Sequence, residues 1–166
     1  GYHEHNESDF YITPTWVTEA LLKREMFLGR GWEPACGDGH ISRLFPDIES
    51  SDIRYNNAFG EHGIDFLKTY RLVDFIITNP PYGLAQQFVE HALECADKVA
   101  MLMRIQFLES ARRGKMFTWH PPKVVYVFSQ RINCDPSSID GKGGMMCFAW
   151  FVWSKGYTDT RLAWIL

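Results

Sequence analysis

The chain has 166 residues, a formal net charge of −3, 46% hydrophobic and 22% charged residues, the profile of one globular domain large enough for a sizeable core. No apolar run approaches membrane-spanning length, the polar start Gly1-Tyr2-His3-Glu4-His5-Asn6 is no secretory signal, and Cys36, Cys95, Cys134 and Cys147 form no C-x-x-C pair, which argues against a membrane span, export and a zinc site in turn. Reduced thiols and a cytoplasmic location are therefore expected, with residues 1–8 a flexible lead to a single domain over 1–166.

In chain order, Thr15 or Thr18 can cap a helix running to about Leu28. A short strand is expected near Arg30–Glu33, then the turn Cys36-Gly37-Asp38-Gly39 and a helix from about Ile41. Ile48–Ile53 reads as a second strand, and Asn56–Gly63 as loop with at most a short third strand. Phe75–Thr78 is a buried strand, and Leu84–Lys98 an amphipathic helix with Leu84, Phe88, Ala92, Leu93 and Ala96 on one face. Val99–Met103 is the next strand and Leu108–Thr118 the next helix. Val124–Phe128 and Met145–Trp153 are strands joined by about sixteen loop residues without helical pattern, so they should pair antiparallel. Alternating strand and helix imply a mostly parallel, doubly wound α/β sheet with an antiparallel hairpin at its C-terminal edge.

The tetrapeptide Asn79-Pro80-Pro81-Tyr82, at the end of a buried strand, is suited to holding an amine. The Asn79 side-chain oxygen and the Pro80 carbonyl can both accept from one –NH2 group. Pro81 has no N–H to compete, and both rings fix φ. Tyr82 offers a flat face to a planar group. This tetrapeptide resembles the catalytic motif of amino methyltransferases, which transfer a methyl group from S-adenosylmethionine (SAM) to an exocyclic or amide nitrogen and release S-adenosylhomocysteine. The alternation of elements likewise resembles the class I SAM-dependent methyltransferase fold, and the resemblance implies seven strands in the order 3-2-1-4-5-7-6 with strand 7 reversed.

On that resemblance, the turn Glu33-Pro34-Ala35-Cys36-Gly37 is the SAM-binding turn, close to the version found in adenine-N6 enzymes. Asp52 would accept from ribose hydroxyls, Ile53 pack on the adenine of SAM, and Asp65-Phe66 meet its amino group. Asp52 is otherwise a turn acid, and Asp65 a helix N-cap ahead of Phe66. Tyr11, Thr13 and Pro14 resemble the motif that touches the methionine part of SAM in γ-arranged DNA amino methyltransferases, Thr13-Pro14 being otherwise a plain helix start. Asn79, Pro80, Pro81 and Tyr82 would then be catalytic, with Asn79 also beside the cofactor. No metal and no covalent nucleophile are needed.

The expected substrate is the N6 amine of adenine in DNA, flipped out of the stack. Tyr82 would stack on the base, with Phe128, Arg131 and Ile132 as further substrate contacts. The Gly-rich stretch 135–144 would either close over the base or serve as a plain connection. Charge fits a nucleic-acid partner only locally: residues 1–83 carry net −6 and residues 84–166 net +3, and 104–131 hold six basic residues against Glu109 alone. The short stretch after the last strand leaves little for a separate target-recognition region, as in small phage and prophage adenine methyltransferases, which this chain resembles in size; the location implied is bacterial or phage-infected host cytosol. RNA adenine, a protein glutamine amide, and a SAM-fold module that binds without catalysing are the competing expectations.

Overall fold

Strands form on runs of β-branched, aromatic and long aliphatic residues, as in Val124–Phe128, and helices where apolar residues recur at helical spacing unless strand pairing overrides it. The structure, a computed structural model, describes residues 12–56, 59–130, 132 and 147–165. The elements are α1 (Thr15–Leu22), β1 (Gly31–Glu33), β2 (Glu49–Ser50), β3 (Val73–Thr78), α2 (Ala85–Cys95), β4 (Ala96–Arg104), α3 (Ala111–Trp119), β5 (Val124–Phe128), β6 (Phe148–Ser154) and β7 (Arg161–Ile165).

These strands make one seven-stranded sheet in the order β2-β1-β3-β4-β6-β5-β7. β2, β1, β3 and β4 are parallel, β6 runs antiparallel to both β4 and β5, and β7 is parallel to β5. The β5–β6 pairing is the expected antiparallel hairpin. From β2 to β5 the order matches the family order from its strand 2 onward, with β6 as the reversed strand. In the place of the family's third strand, the described residues hold a single bridge, Ser51 to Glu61. The seventh strand is instead β7, beyond β5.

Both sheet faces are covered. On one, Ile76, Val99, Met101 and Phe151 pack against Phe88, Val89 and Ala92 of α2 and Met116 of α3. On the other, Ile77, Ala100, Leu102, Tyr126 and Trp150 pack against Val17, Ala20 and Leu21 of α1. The indole N–H groups of Trp32, Trp150 and Trp153 donate to Ser51 Oγ, the Val17 carbonyl and the His120 carbonyl, each at 2.9 Å. Bulky rings are buried without stranding their donors. Among the described residues, no helix is long and apolar enough to cross a membrane.

Several boundaries differ from expectation for identifiable reasons. Neither Thr15 nor Thr18 caps α1: Pro14 holds the N-cap position, and Thr18 is buried inside the helix. α1 stops at Leu22 rather than Leu28, because Glu25 leaves the helix for a polar cluster under the sheet and Phe27 packs on Phe45 and Phe75. The helix expected from Ile41 is one 3-10 turn, Ser42–Leu44. Pro46 follows it and drives Phe45 to φ −119°, ψ 121°, the extended conformation that a following proline imposes. α2 ends at Cys95 because Ala96 and Lys98 pair with Val73 and Phe75 in the ladder, a case of tertiary pairing overriding helical spacing. The expected Leu108–Thr118 helix is broken at Glu109, and Ser110 starts α3 by accepting from the Arg112 and Arg113 amides at 3.2 and 3.4 Å.

Candidate active site

In a sheet of this kind, ligands bind beyond the carboxyl ends of the parallel strands. β1, β2 and β3 deliver the Gly-rich turn, Asp52 and Asn79 to that end. β1 pairs with β2 on one side and β3 on the other, so the three segments are neighbours.

Asn79 follows β3 directly and is half-buried; its Nδ2 donates to Thr13 Oγ1 at 3.3 Å. Thr13 is buried and Pro14 is the N-cap of α1, so the segment before α1 and the end of β3 meet here. With Nδ2 committed to Thr13, Oδ1 is the group's acceptor. Pro81 is extended at φ −62°, ψ 134°, and Tyr82 opens a short 3-10 turn to Leu84. Tyr82 is half-buried, and its ring lies 6.4 Å from that of Phe148 in β6.

The turn after β1 is tied down from both sides. Gly37 and Gly39 have φ of 53° and 85°, the left-handed region that side chains disfavour. At Gly39 a Cβ would also stand 2.5 Å from the Phe59 ring. Asp52 is buried; its Oδ2 accepts from the Gly37 amide at 2.8 Å, and its Oδ1 from the Arg54 amide and Nε at 2.9 and 3.3 Å. Asp52 is thus first a brace for the turn, with acceptor capacity remaining on its two oxygens. Ile53 is half-buried beside it.

Glu33 and Pro34 are buried and Ala35 half-buried. Glu33 Oε1 accepts from the Ser42 amide at 3.1 Å and hydroxyl at 2.6 Å, while Oε2 accepts from Thr78 Oγ1 at 3.3 Å. The carboxyl therefore links the turn to β3. Burial pushes its pKa up to about 8 against the opposing bonds from Ser42 and Thr78, with the Asp52 charge adding to the rise. Burial, helped by the charges of Glu33 and Asp52, pushes the Cys36 thiol up to about 12, so Cys36 is not a ready thiolate.

Asp65 caps the 3-10 turn Phe66–Lys68, its side chain accepting from the Leu67 amide at 3.1 Å. Phe66 is enclosed by Trp32, Phe88 and His91, at ring separations of 5.0, 4.8 and 4.7 Å. Its ring is a packing group rather than an open face. The same correction applies to two of the expected substrate contacts. Phe128 is buried edge-on to Trp16 at 5.6 Å, and Ile132 is buried in the apolar cluster under α1. Tyr11, Arg131 and the stretch 135–144 lie outside the described residues.

The basic stretch does not form one surface. Arg113 donates to the carbonyls of Phe107, Gln106 and Glu109 at 2.7, 3.2 and 2.7 Å. Lys123 stands at the opposite end of the sheet and pairs with Glu25 at 3.1 Å. Arg112 and Lys115 are exposed on α3. Arg104 closes β4, and its guanidinium lies 3.9 Å from the Tyr82 ring centroid. Thr78, Ser42 and Arg54 border the candidate site without having been expected there, and Arg104 was expected only as part of the basic stretch 104–131. For Arg104 the signal was present: a charged residue ending an apolar strand next to the Asn79 strand.

The order of the sheet, its reversed strand and the position of the site define a class I SAM-methyltransferase-like, Rossmann-like fold. No family model matches the chain, and no curated protein matches it in sequence. Solved structures do. A protein described as the modification subunit of a type I restriction enzyme from Vibrio vulnificus superposes with TM-score 0.65 at 13% identity, over 98% of this chain and 48% of that one. The chain therefore spans about half of that relative's length. A protein described as an RNA methyltransferase from Pyrococcus horikoshii gives 0.64 at 16% identity, over 91% and 90% of the two chains. One described as a class I SAM-dependent methyltransferase from Listeria monocytogenes gives 0.62 at 12%, over 99% and 68%. At these identities the likeness establishes the fold and not the target.

Proposed function

We propose that the protein is a SAM-dependent methyltransferase acting on the exocyclic N6 amine of adenine in DNA. The observation that carries this reading is Asn79, held through Nδ2 by Thr13 at the end of β3, beside the glycine turn of β1 and followed by Pro80-Pro81-Tyr82. The residues at the end of β1 and β2 fit SAM. Gly37 and Gly39 keep the turn free of side chains, and Asp52, though braced, retains lone pairs for hydroxyl donors. Thr13 and Asn79 would hold the methionine side of SAM, and the Gly turn and Asp52 its nucleoside side. SAM supplies a methyl group on a positively charged sulfur.

The protein's part is to make a poor nucleophile better and to aim it. The adenine amine is conjugated with its ring. Oδ1 of Asn79 and the carbonyl of Pro80 accept its two hydrogens and draw the lone pair out of conjugation, an effect largest as the new bond forms. Tyr82 stacks on the base and fixes the plane of attack, which supplies the alignment term. The rigid φ of Pro80 and Pro81 keeps both acceptors in place without reorganisation. Glu33, the buried carboxyl nearest the strand, is committed to Ser42 and Thr78 and is not the proton acceptor; the excess proton of the product leaves to water.

The test is incubation with labelled SAM and unmethylated DNA, then digestion to nucleosides. N6-methyladenine is expected, and Asn79→Ala should reduce its formation by about 100-fold or more, the usual scale for losing one such acceptor or donor. N4-methylcytosine would move the target base, and label found only in RNA or protein would reject the DNA assignment.

A further inference from the structure

We propose that Arg104 is a substrate-contacting residue of this site: its guanidinium holds Tyr82 by one face and donates to a phosphate oxygen of the nucleotide whose amine reaches Asn79. The inference rests on the nucleic-acid reading above. Sheet order separates the two ligands. β1 and β2 lie on one side of the Asn79 strand and β4 on the other, so Arg104 flanks the catalytic loop from the side away from the glycine turn and Asp52. The register Thr78 to Met101 places Arg104 three residues farther along, level with the loop that carries Tyr82.

The arginine is also delivered rigidly. Its backbone remains in the ladder opposite Phe148 of β6, and Phe148 approaches the same Tyr82 ring. A guanidinium 3.9 Å from a ring centroid is well inside cation–π range. Yet Nε of Arg104 is buried with no hydrogen-bond partner among the described residues. A buried cationic donor without an acceptor is destabilising, and such groups concentrate where a ligand supplies the missing atom. Arginine carries donors only and never gives up its charge, so the missing atom is an acceptor, best an anionic one. A phosphodiester oxygen meets that need and lies one sugar away from a base stacked on Tyr82.

The experiment compares wild type, Arg104→Gln and Arg104→Lys. Anisotropy of a fluorescein-labelled, mixed-sequence single strand is measured over a salt series, with SAM affinity and thermal midpoint recorded alongside. A single strand removes the cost of unstacking a duplex base. Arg104→Gln should bind the strand at least ten-fold more weakly and lose about one unit of log–log salt slope, with SAM affinity unchanged. Arg104→Lys should keep the slope and recover part of the affinity. Binding and slope in Arg104→Gln equal to wild type overturn the inference while leaving the methylation reading intact. A loss of affinity without loss of slope also overturns it, since the donor then faces the base. Wild type that binds no strand and labels no nucleic acid rejects the underlying reading, and this inference with it. A merely structural Arg104 would move the thermal midpoint and not the slope.

Discussion

Glu25 and Glu33 are the same residue at opposite ends of one sheet, both almost fully buried, and they are held in opposite ways. Below the sheet, Glu25 accepts from Lys98 at 2.9 Å, Lys123 at 3.1 Å and the Tyr126 hydroxyl at 2.7 Å. Burial alone would raise its pKa, but the bonds from Lys98, Tyr126 and Lys123 together outweigh that and hold it below the usual carboxylate value. Above the sheet, Glu33 meets only hydroxyls and an amide, and its pKa rises to about 8. Burial raises both carboxyls; the cationic partners of Glu25 reverse that rise, and the neutral partners of Glu33 do not. The cation-paired carboxylate fastens the scaffold. The neutral-partnered one sits where the glycine turn meets the end of β3.

Removing Glu25 should break this contrast most visibly. Glu25→Ala leaves two lysines facing each other without their counter-ion, and Tyr126 without its acceptor. Because both lysine side chains still reach water, at 19% and 24% exposure, the loss should be about 2–3 kcal/mol, less than for a fully enclosed pair. Urea unfolding at neutral pH measures it. The depressed pKa sets the sign with pH: the stabilisation is present above the unfolded value of 4.5 and is lost as pH falls through the lower folded value. The gap between wild type and Glu25→Ala should therefore close in acid.

Glu33→Gln should act in the reverse direction. A folded pKa of about 8 against an unfolded value of 4.5 means that the folded state holds the proton more tightly. The associated stability is complete below about pH 4.5 and is lost as pH rises through 8. Glutamine keeps an acceptor for Ser42 and cannot ionise. The variant should match wild type to within about 1 kcal/mol at pH 5 and exceed it by roughly 4 kcal/mol at pH 9. A difference independent of pH would show that Glu33 does not titrate in this range.

The two ends were unequally legible in the sequence. The strand cores, the Val124–Phe128 element and the Asn79 loop were readable because apolar runs and paired prolines act locally. The Glu25 cluster was not, since Lys98 and Lys123 lie 73 and 98 positions from it in the chain. β7 was missed because Leu162 and Trp164 face outward while Ala163 and Ile165 face inward, a pattern too short to separate from a tail. At the site, residue types gave the right neighbourhood but not the division of labour. Nothing local shows that Asp65 caps its own turn, or that Phe66, Phe128 and Ile132 point into the core. Arg113 and Arg104 share one basic stretch, yet one is folded onto loop carbonyls and the other onto Tyr82.

Thr78 offers the finest test of how the upper carboxyl is coupled to β3. Its hydroxyl lies 3.3 Å from Glu33 Oε2 and 3.4 Å from the Ala35 carbonyl, and it has one proton to give. When Glu33 is neutral, its own O–H can donate to Thr78 Oγ1 and leave the threonine proton for Ala35. When Glu33 ionises, the threonine proton is drawn to the carboxylate and the tie to the glycine turn is released. Thr78→Val removes the switch at nearly constant volume and leaves one buried acceptor unmet, a loss of about 1 kcal/mol. Because the bond from Thr78 lowers the Glu33 pKa, the pH at which the Glu33-linked loss of stability levels off should move upward in the variant. Thr78→Ser, which restores the hydroxyl, should bring it back, whereas equal profiles for the valine and serine variants would place the coupling elsewhere.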